Sequence, residues 1–284
     1  MERDRYPHGV PCWIDLRTPD VEASVAFYTR LLGWSPDERS SFGSSPAVVG
    51  RLRDADVASI GLRPEPAPTT ARWDMYVSVT SADDTIERVQ DAGGQIVEKP
   101  ADVAGIGRAA VVADATGAEL GVLEATQTGG VGAVDEPGTW VFNDLNTRHP
   151  AEAERFYGAV FGWEASAVDL GDGNTTTMWR RPGYGDHLDE LNPGTQEGHR
   201  AMGAPEGFSD AVGWMVLLDD DAVDPTEHWS VMFAVEDADA TVARAVELGA
   251  EVVTPPFDAN FVRMAVLRDP QGAVLTVSRF QPPS

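Results

Sequence analysis

Apolar and mixed positions alternate with period two along short segments of this chain, and each segment is followed by apolar residues at helical spacing. Ile14 and Leu16 oppose Trp13, Asp15 and Arg17. Met75, Val77 and Val79 oppose Asp74, Tyr76 and Ser78. Trp229, Val231, Phe233 and Val235 oppose Ser230, Met232 and Ala234. The pattern predicts strands whose apolar face packs under the next helix, while the mixed face lines solvent or a cavity. The helices have legible ends. Asp20 caps the first, Val21, Val25, Tyr28 and Leu32 recur along it, and Gly33 stops it. Pro150 suits a first helical turn with His149 at the cap, and Asp237 and Gly249 bracket the last helix.

These segments are copies of one another. Trp13-Ile-Asp-Leu-Arg-Thr18, Phe27-Tyr28 and Gly33-Trp34 return as Phe142-Asn-Asp-Leu-Asn-Thr147, Phe156-Tyr157 and Gly162-Trp163, an offset of 129 (13 to 142). Asp74-Met-Tyr-Val-Ser-Val79 and Gly93 return as Ser230-Val-Met-Phe-Ala-Val235 and Gly249, an offset of 156 (74 to 230). A strand–turn–strand follows each of the latter, around Asp114-Ala-Thr-Gly117 and Asp269-Pro-Gln-Gly272. Shared spacing in two halves indicates duplication. The Gly-rich stretch 127–138 separates them, giving an N-terminal domain over 10–127 and a C-terminal domain over 138–281, each of two modules. One segment, about 180–227, breaks the symmetry. It carries Tyr184, His187, His199, Phe208 and Trp214, with Leu188 and Leu191 at helical spacing, and reads as a lid or a surface insertion.

With 46 acidic against 21 basic residues, the net charge of −25 repels phosphates and anionic headgroups. Nucleic-acid and membrane-surface binding are excluded as main functions. Lone Cys12 makes no internal disulfide and no cysteine metal site. With no long apolar run and no signal-peptide pattern, a cytoplasmic protein is expected, a monomer of two pseudo-symmetric domains or a homodimer.

Asp20-x-x-x-Ser24-x-x-Phe27-Tyr28-x-x-x-Leu32-Gly33-Trp34, its copy ending Phe156-Tyr157-x-x-x-Phe161-Gly162-Trp163, the glycine turn after the next helix and Asp-x-x-Gly before the last strand resemble the vicinal oxygen chelate superfamily of glyoxalases, bleomycin-resistance proteins and extradiol dioxygenases. The resemblance is to its tandem, four-module, glyoxalase-like subgroup of actinobacteria and covers roughly residues 10–280. It implies an α+β fold of four βαβββ modules paired into two domains, each enclosing a U-shaped cup lined by the mixed strand faces. It also implies that metal-dependent members place His, Gln or Glu on the first and last strands of a module. The matching positions here are Trp13, Ser59 or Gly61, Asp74 and Gly121 in the N-terminal cup, and Phe142, Met178 or Trp179, Ser230 and Thr276 in the C-terminal cup. A catalytic metal needs about three protein ligands, so neither a metal nor another cofactor is expected.

Aromatic walls with a few polar groups suit a bulky organic guest. Asp15, Asp74, Asp144 and His228 are the candidate proton-handling groups. Trp13, Arg17, Tyr76, Phe142, Asn146, Trp179, Tyr184, His187, Trp214, Ser230 and Met232 are the candidate ligand contacts. Asp15 is expected two residues along from the position facing Asp74, so that the carboxylates flank one ligand as acid and base. Alternatively, Asp15 and Asp144 satisfy backbone donors or pair with Arg17 or Arg108. Three functions stay open: a metal-free lyase, isomerase or cyclase acting on an aromatic small metabolite of secondary metabolism; a sequestering protein of bleomycin-resistance type; and a metal-dependent glyoxalase or dioxygenase.

Overall fold

Alternating residues make strand β1 (Pro11–Thr18), after which Asp20 accepts from the Ala23 amide and opens helix α1 (Val21–Leu32). Gly33, at φ 76°, supplies the left-handed residue that closes the helix. Strands β2 (Ser35–Phe42), β3 (Ser45–Leu52) and β4 (Ala55–Leu62) complete the unit. The computed structural model describes residues 6–42, 45–62, 70–103, 105–126, 129–171, 174–219, 226–259 and 261–281.

The βαβββ order recurs three times. β5 (Arg72–Ser78), α2 (Ala82–Asp91), β6 (Gln95–Val103), β7 (Gly107–Ala113) and β8 (Glu119–Ala125) form the second module. The third has β9 (Trp140–Thr147), α3 (Pro150–Phe161), β10 (Glu164–Gly171) and β11 (Asn174–Arg180), and ends with β12 (Ala211–Leu217). Between its last two strands lie α4 (Tyr184–Leu191), α5 (Thr195–Ala201) and a 3₁₀ turn at Phe208–Asp210. The inserted segment is therefore shorter than the sequence suggested: 211–217 is the module's own final strand, which puts Trp214 on the sheet, and 220–225 lie outside the described residues. The fourth module has β13 (His228–Ala234), α6 (Ala238–Glu247), β14 (Glu251–Ala259), β15 (Val262–Arg268) and β16 (Val274–Phe280).

Two eight-stranded mixed sheets result, ordered β2-β3-β4-β1-β5-β8-β7-β6 and β10-β11-β12-β9-β13-β16-β15-β14. Modules pair within each half, through the antiparallel β1–β5 and β9–β13 contacts. Each sheet curls. β1 and β6 are four strands apart, about 19 Å if flat, yet Arg17 on β1 reaches the Glu98 carboxylate on β6.

The helical faces of the halves meet in one continuous core. Tyr28 on α1 donates to Asp269 in the β15–β16 turn (2.9 Å) and accepts from Trp73 Nε1 (3.0 Å). The symmetric Tyr157 donates to Asp114 in the β7–β8 turn (2.8 Å) and accepts from Trp229 Nε1 (2.7 Å). The tryptophans of the Gly-Trp motif also cross the seam, Trp34 to the Gly138 carbonyl and Trp163 to the Gly9 carbonyl. The Phe-Tyr and Asp-x-x-Gly motifs thus hold the halves together as well as each helix to its sheet.

Candidate functional site

The mixed faces of β1 and β9 carry equivalent acids, Asp15 and Asp144, in opposite surroundings. Asp15 is flanked by its register partners Ser59 on β4 and Asp74 on β5. It faces Asp74 directly and not, as the strand pattern predicts, from two residues along; Trp13 faces Tyr76 instead. Two adjacent anions at 5% and 2% exposure need compensation, and arginines supply it. Arg17 Nε lies 3.6 Å from Asp15 Oδ2 and 3.1 Å from Asp74 Oδ2. Arg72 Nε lies 2.7 Å from Asp74 Oδ1, with its other end on Glu119 (2.6 Å). The Arg17 guanidinium also donates to the Tyr76 hydroxyl (2.9 Å) and pairs with Glu98. Trp13 Nε1 donates to Ser59 Oγ (2.8 Å), which donates to Asp15 Oδ1 (2.6 Å). Burial pushes the Asp15 carboxyl up to about 6, against the pull of Arg17 and Ser59. Burial also raises the Tyr76 phenol. The cup floor is filled: Gly121 has no side chain because a Cβ there would sit 2.0 Å from the Tyr76 ring.

In the C-terminal half neither the second carboxylate nor either guanidinium group recurs beside the acid. The register neighbours of Asp144 are Trp214 on β12 and Ser230 on β13. Asn146 takes the place of Arg17, and His228, its partner on β13, takes the place of Arg72. Asn146 Nδ2 donates to Ser230 Oγ and to the Asp144 carbonyl, both at 3.1 Å. Among the described residues no donor or cation meets the Asp144 carboxyl, and burial alone pushes it up to about 7. Around it Phe142, Trp214 and Phe208 are half-buried, with ring centroids 5.9 to 6.4 Å apart. With Val168, Met178 and Ala211 they form an apolar cluster separate from the central core. Met232 is buried beside Phe142 and Thr276. His228 is half-buried, its Nδ1 2.8 Å from the Thr226 carbonyl.

Three expected ligand contacts lie elsewhere. Trp179 is fully buried against Tyr157 and Trp163 in the central core, because its neighbour Met178 takes the cup side of β11. Tyr184 sits in that same core with Leu188, and its ring stacks on His187, whose Nδ1 is 3.9 Å from Glu190. Arg108 pairs with Asp83 and Asp102 at the surface and with neither candidate acid. Arg72, Ser59 and Glu98 complete the N-terminal network and were not singled out as site residues, nor was Phe208 in the C-terminal cup. Only the aromatic content of the inserted segment hinted at the last.

The donor set does not fit a three-ligand metal site. In the N-terminal cup the two buried acids are held by guanidinium groups, Ser59 is engaged by Trp13 and Asp15, and the Tyr76 ring covers Gly121. The C-terminal cup presents the Ser230 and Thr276 hydroxyls, the Asp144 carboxyl, the Asn146 amide and aromatic rings, with His228 two residues along β13 from Ser230. No cluster of three or more His, Cys, Asp or Glu residues able to hold a metal occurs among the described residues.

Comparison with known proteins agrees with this architecture. Residues 12–122 match the model of the Glyoxalase/Bleomycin resistance protein/Dioxygenase superfamily, and 140–278 match that of a glyoxalase-like domain. The chain is 33% identical to CFP32 of Mycobacterium tuberculosis, named as a candidate glyoxylase, over 99% of this chain and 98% of that one. It is 35% identical to the anthracycline biosynthesis protein DnrV of Streptomyces peucetius, over 96% and 94%. In fold it is similar to the Mn(II)-bound glyoxalase of Novosphingobium aromaticivorans (TM-score 0.59, 16% identity, 96% and 82% covered). The 2,3-dioxygenase LapB of Pseudomonas sp. KL28 is similar too (TM-score 0.59, 15% identity, 98% and 95% covered).

Proposed function

The chain belongs to the glyoxalase/bleomycin-resistance/dioxygenase superfamily, and from that premise we propose that it is an acid–base enzyme working without a resident metal. Its substrate is a bulky, partly aromatic small metabolite, held in the C-terminal cup. One observation carries this: Asp144 keeps the acid of Asp15 while Ser59, Asp74, Arg17 and Arg72 give way to Trp214, Ser230, Asn146 and His228. A carboxyl titrating near neutrality without a partner is suited to exchange a proton with a bound molecule. Protonated, it donates to a carbonyl or leaving hydroxyl oxygen; ionised, it accepts a proton from carbon or oxygen. Dehydration, cyclisation and isomerisation fall within that chemistry. Phe142 and Trp214 provide ring surfaces, Asn146 and Ser230 orient polar substituents, and His228 stands at the rim. The name of DnrV, an anthracycline biosynthesis protein, supports a fused-ring aromatic ligand of secondary metabolism. The filled N-terminal cup serves as scaffold, with Asp15 and Asp74 neutralised by arginine.

Asp144→Asn tests this: it keeps the shape and removes the exchangeable proton. Turnover should fall at least about 100-fold, within the range of general acid–base contributions, while ligand affinity changes less than about threefold. The half-buried aromatic cluster favours one other reading, sequestration without turnover. It predicts tight binding, no product, and an affinity that follows the rings rather than Asp144.

A further inference from the structure

We propose that Phe208 is a specificity-determining residue that closes the aromatic wall of the C-terminal cup and selects planar, multi-ring guests. The inference rests on the C-terminal cup being the ligand site. Three modules join their last two strands by a turn, from Leu52 to Ala55, Ala113 to Glu119 and Arg268 to Val274. Only the third inserts helices there, and it belongs to the cup whose acid is unpaired. The insertion delivers Phe208 onto Phe142 (5.9 Å) and Trp214 (6.4 Å). Trp214 is the register partner of Asp144, and Phe142 shares its strand face two residues away. Trp214 and Phe142 therefore share a sheet face with the carboxyl, and Phe208 packs on both rings.

The delivery is built rather than incidental. The His199 ring meets Phe208 edge-on at 5.2 Å and its Nδ1 is 2.8 Å from Ser209 Oγ. Asp210 accepts the Gly185 amide on its side chain (2.7 Å) and the Arg181 amide on its carbonyl (2.8 Å). The turn is thus tied to both inserted helices and to the end of β11. Yet all three rings stay half-buried, whereas the rings at the seam of the central core, Tyr28, Trp34, Trp73, Tyr157, Trp163 and Trp229, are buried. Aromatic surface left part-exposed next to an unpaired acid fits a planar ring system bearing a hydroxyl or carbonyl that reaches Asp144.

The test is equilibrium dialysis of 1,2-dihydroxyanthraquinone against wild type, Phe208→Ala, Phe208→Leu and Phe257→Leu. Leucine keeps apolar bulk at 208 and preserves folding, and Phe257 is an exposed phenylalanine on β14 as control. Wild type and Phe257→Leu should bind alike, with dissociation constants at least tenfold weaker for Phe208→Ala and at least fivefold weaker for Phe208→Leu. Wild-type affinity in both Phe208 variants overturns the inference but leaves the cup as a ligand site. Failure of wild type to bind the probe overturns both.

Discussion

Asp15 and Asp74 are direct register partners across β1 and β5, two buried carboxylates side by side with the Arg17 guanidinium against both. In the other half the corresponding pair is Asp144 and Ser230 with Asn146. One substitution pattern separates a neutralised, filled cup from one with an idle acid.

Arg17→Met leaves Asp15 and Asp74 facing each other with only Arg72 nearby. Breaking a buried ion pair from one side costs about 3–5 kcal/mol, and urea denaturation should show a loss of that order. Adding Asp15→Asn and Asp74→Asn should restore part of it, because the unpaired charges are then gone.

Gly121→Ala should be strongly destabilising, by about 1–3 kcal/mol or more, because its Cβ would occupy space held by the Tyr76 ring. The double variant with Tyr76→Ala should be better than the sum of the singles, and a thermal-denaturation cycle measures the difference. Simple additivity would mean that the ring does not set the requirement for glycine.

Tyr28→Phe and Tyr157→Phe each remove a hydroxyl that bridges a tryptophan of its own half and an aspartate of the other. Leaving Asp269 or Asp114 and an indole N–H short of a partner should cost about 1–3 kcal/mol per site. Similar losses at the two sites, read from denaturant midpoints, would reflect the seam's symmetry.

Asp144 makes the fold pH-sensitive in a defined direction. Its carboxyl is raised to about 7, so the folded state holds a proton that the unfolded chain has released above the ordinary carboxylate range. Stability from this group is complete at low pH and falls as pH rises toward 7. Asp144→Asn should therefore be more stable than wild type at pH 8 and no better at pH 4. The gain should be about 1–2 kcal/mol, the shift being discounted for the carboxyl's access to solvent.

Much of the fold was legible because duplication writes itself into spacing: Phe27-Tyr28 against Phe156-Tyr157, and Gly93 against Gly249, with period-two strands ahead of each. The candidate site was legible only as a list of residues on mixed faces. Whether Asp15 meets Asp74 or Arg72, two residues along, depends on the β1–β5 register, which shifts between Pro11 and Trp13 and which no local pattern encodes. That Arg17 and Tyr76 fill one cup, that Trp179 turns into the core, and that Phe208 arrives from an insertion are contacts between remote segments. The reach of Tyr28 to Asp269 is of the same kind: two halves had to be docked before either motif found its partner.

Asp144 stands as a solitary, protonatable acid in a cup of rings. A ¹³C NMR titration of aspartate carboxyl carbons, with Asp144→Asn to assign the signal, reads this state at the atom concerned. A midpoint near 7 is predicted. A midpoint in the ordinary carboxylate range, near 4, would mean that Asp144 is charged and satisfied, and would remove its role as the proton-handling acid.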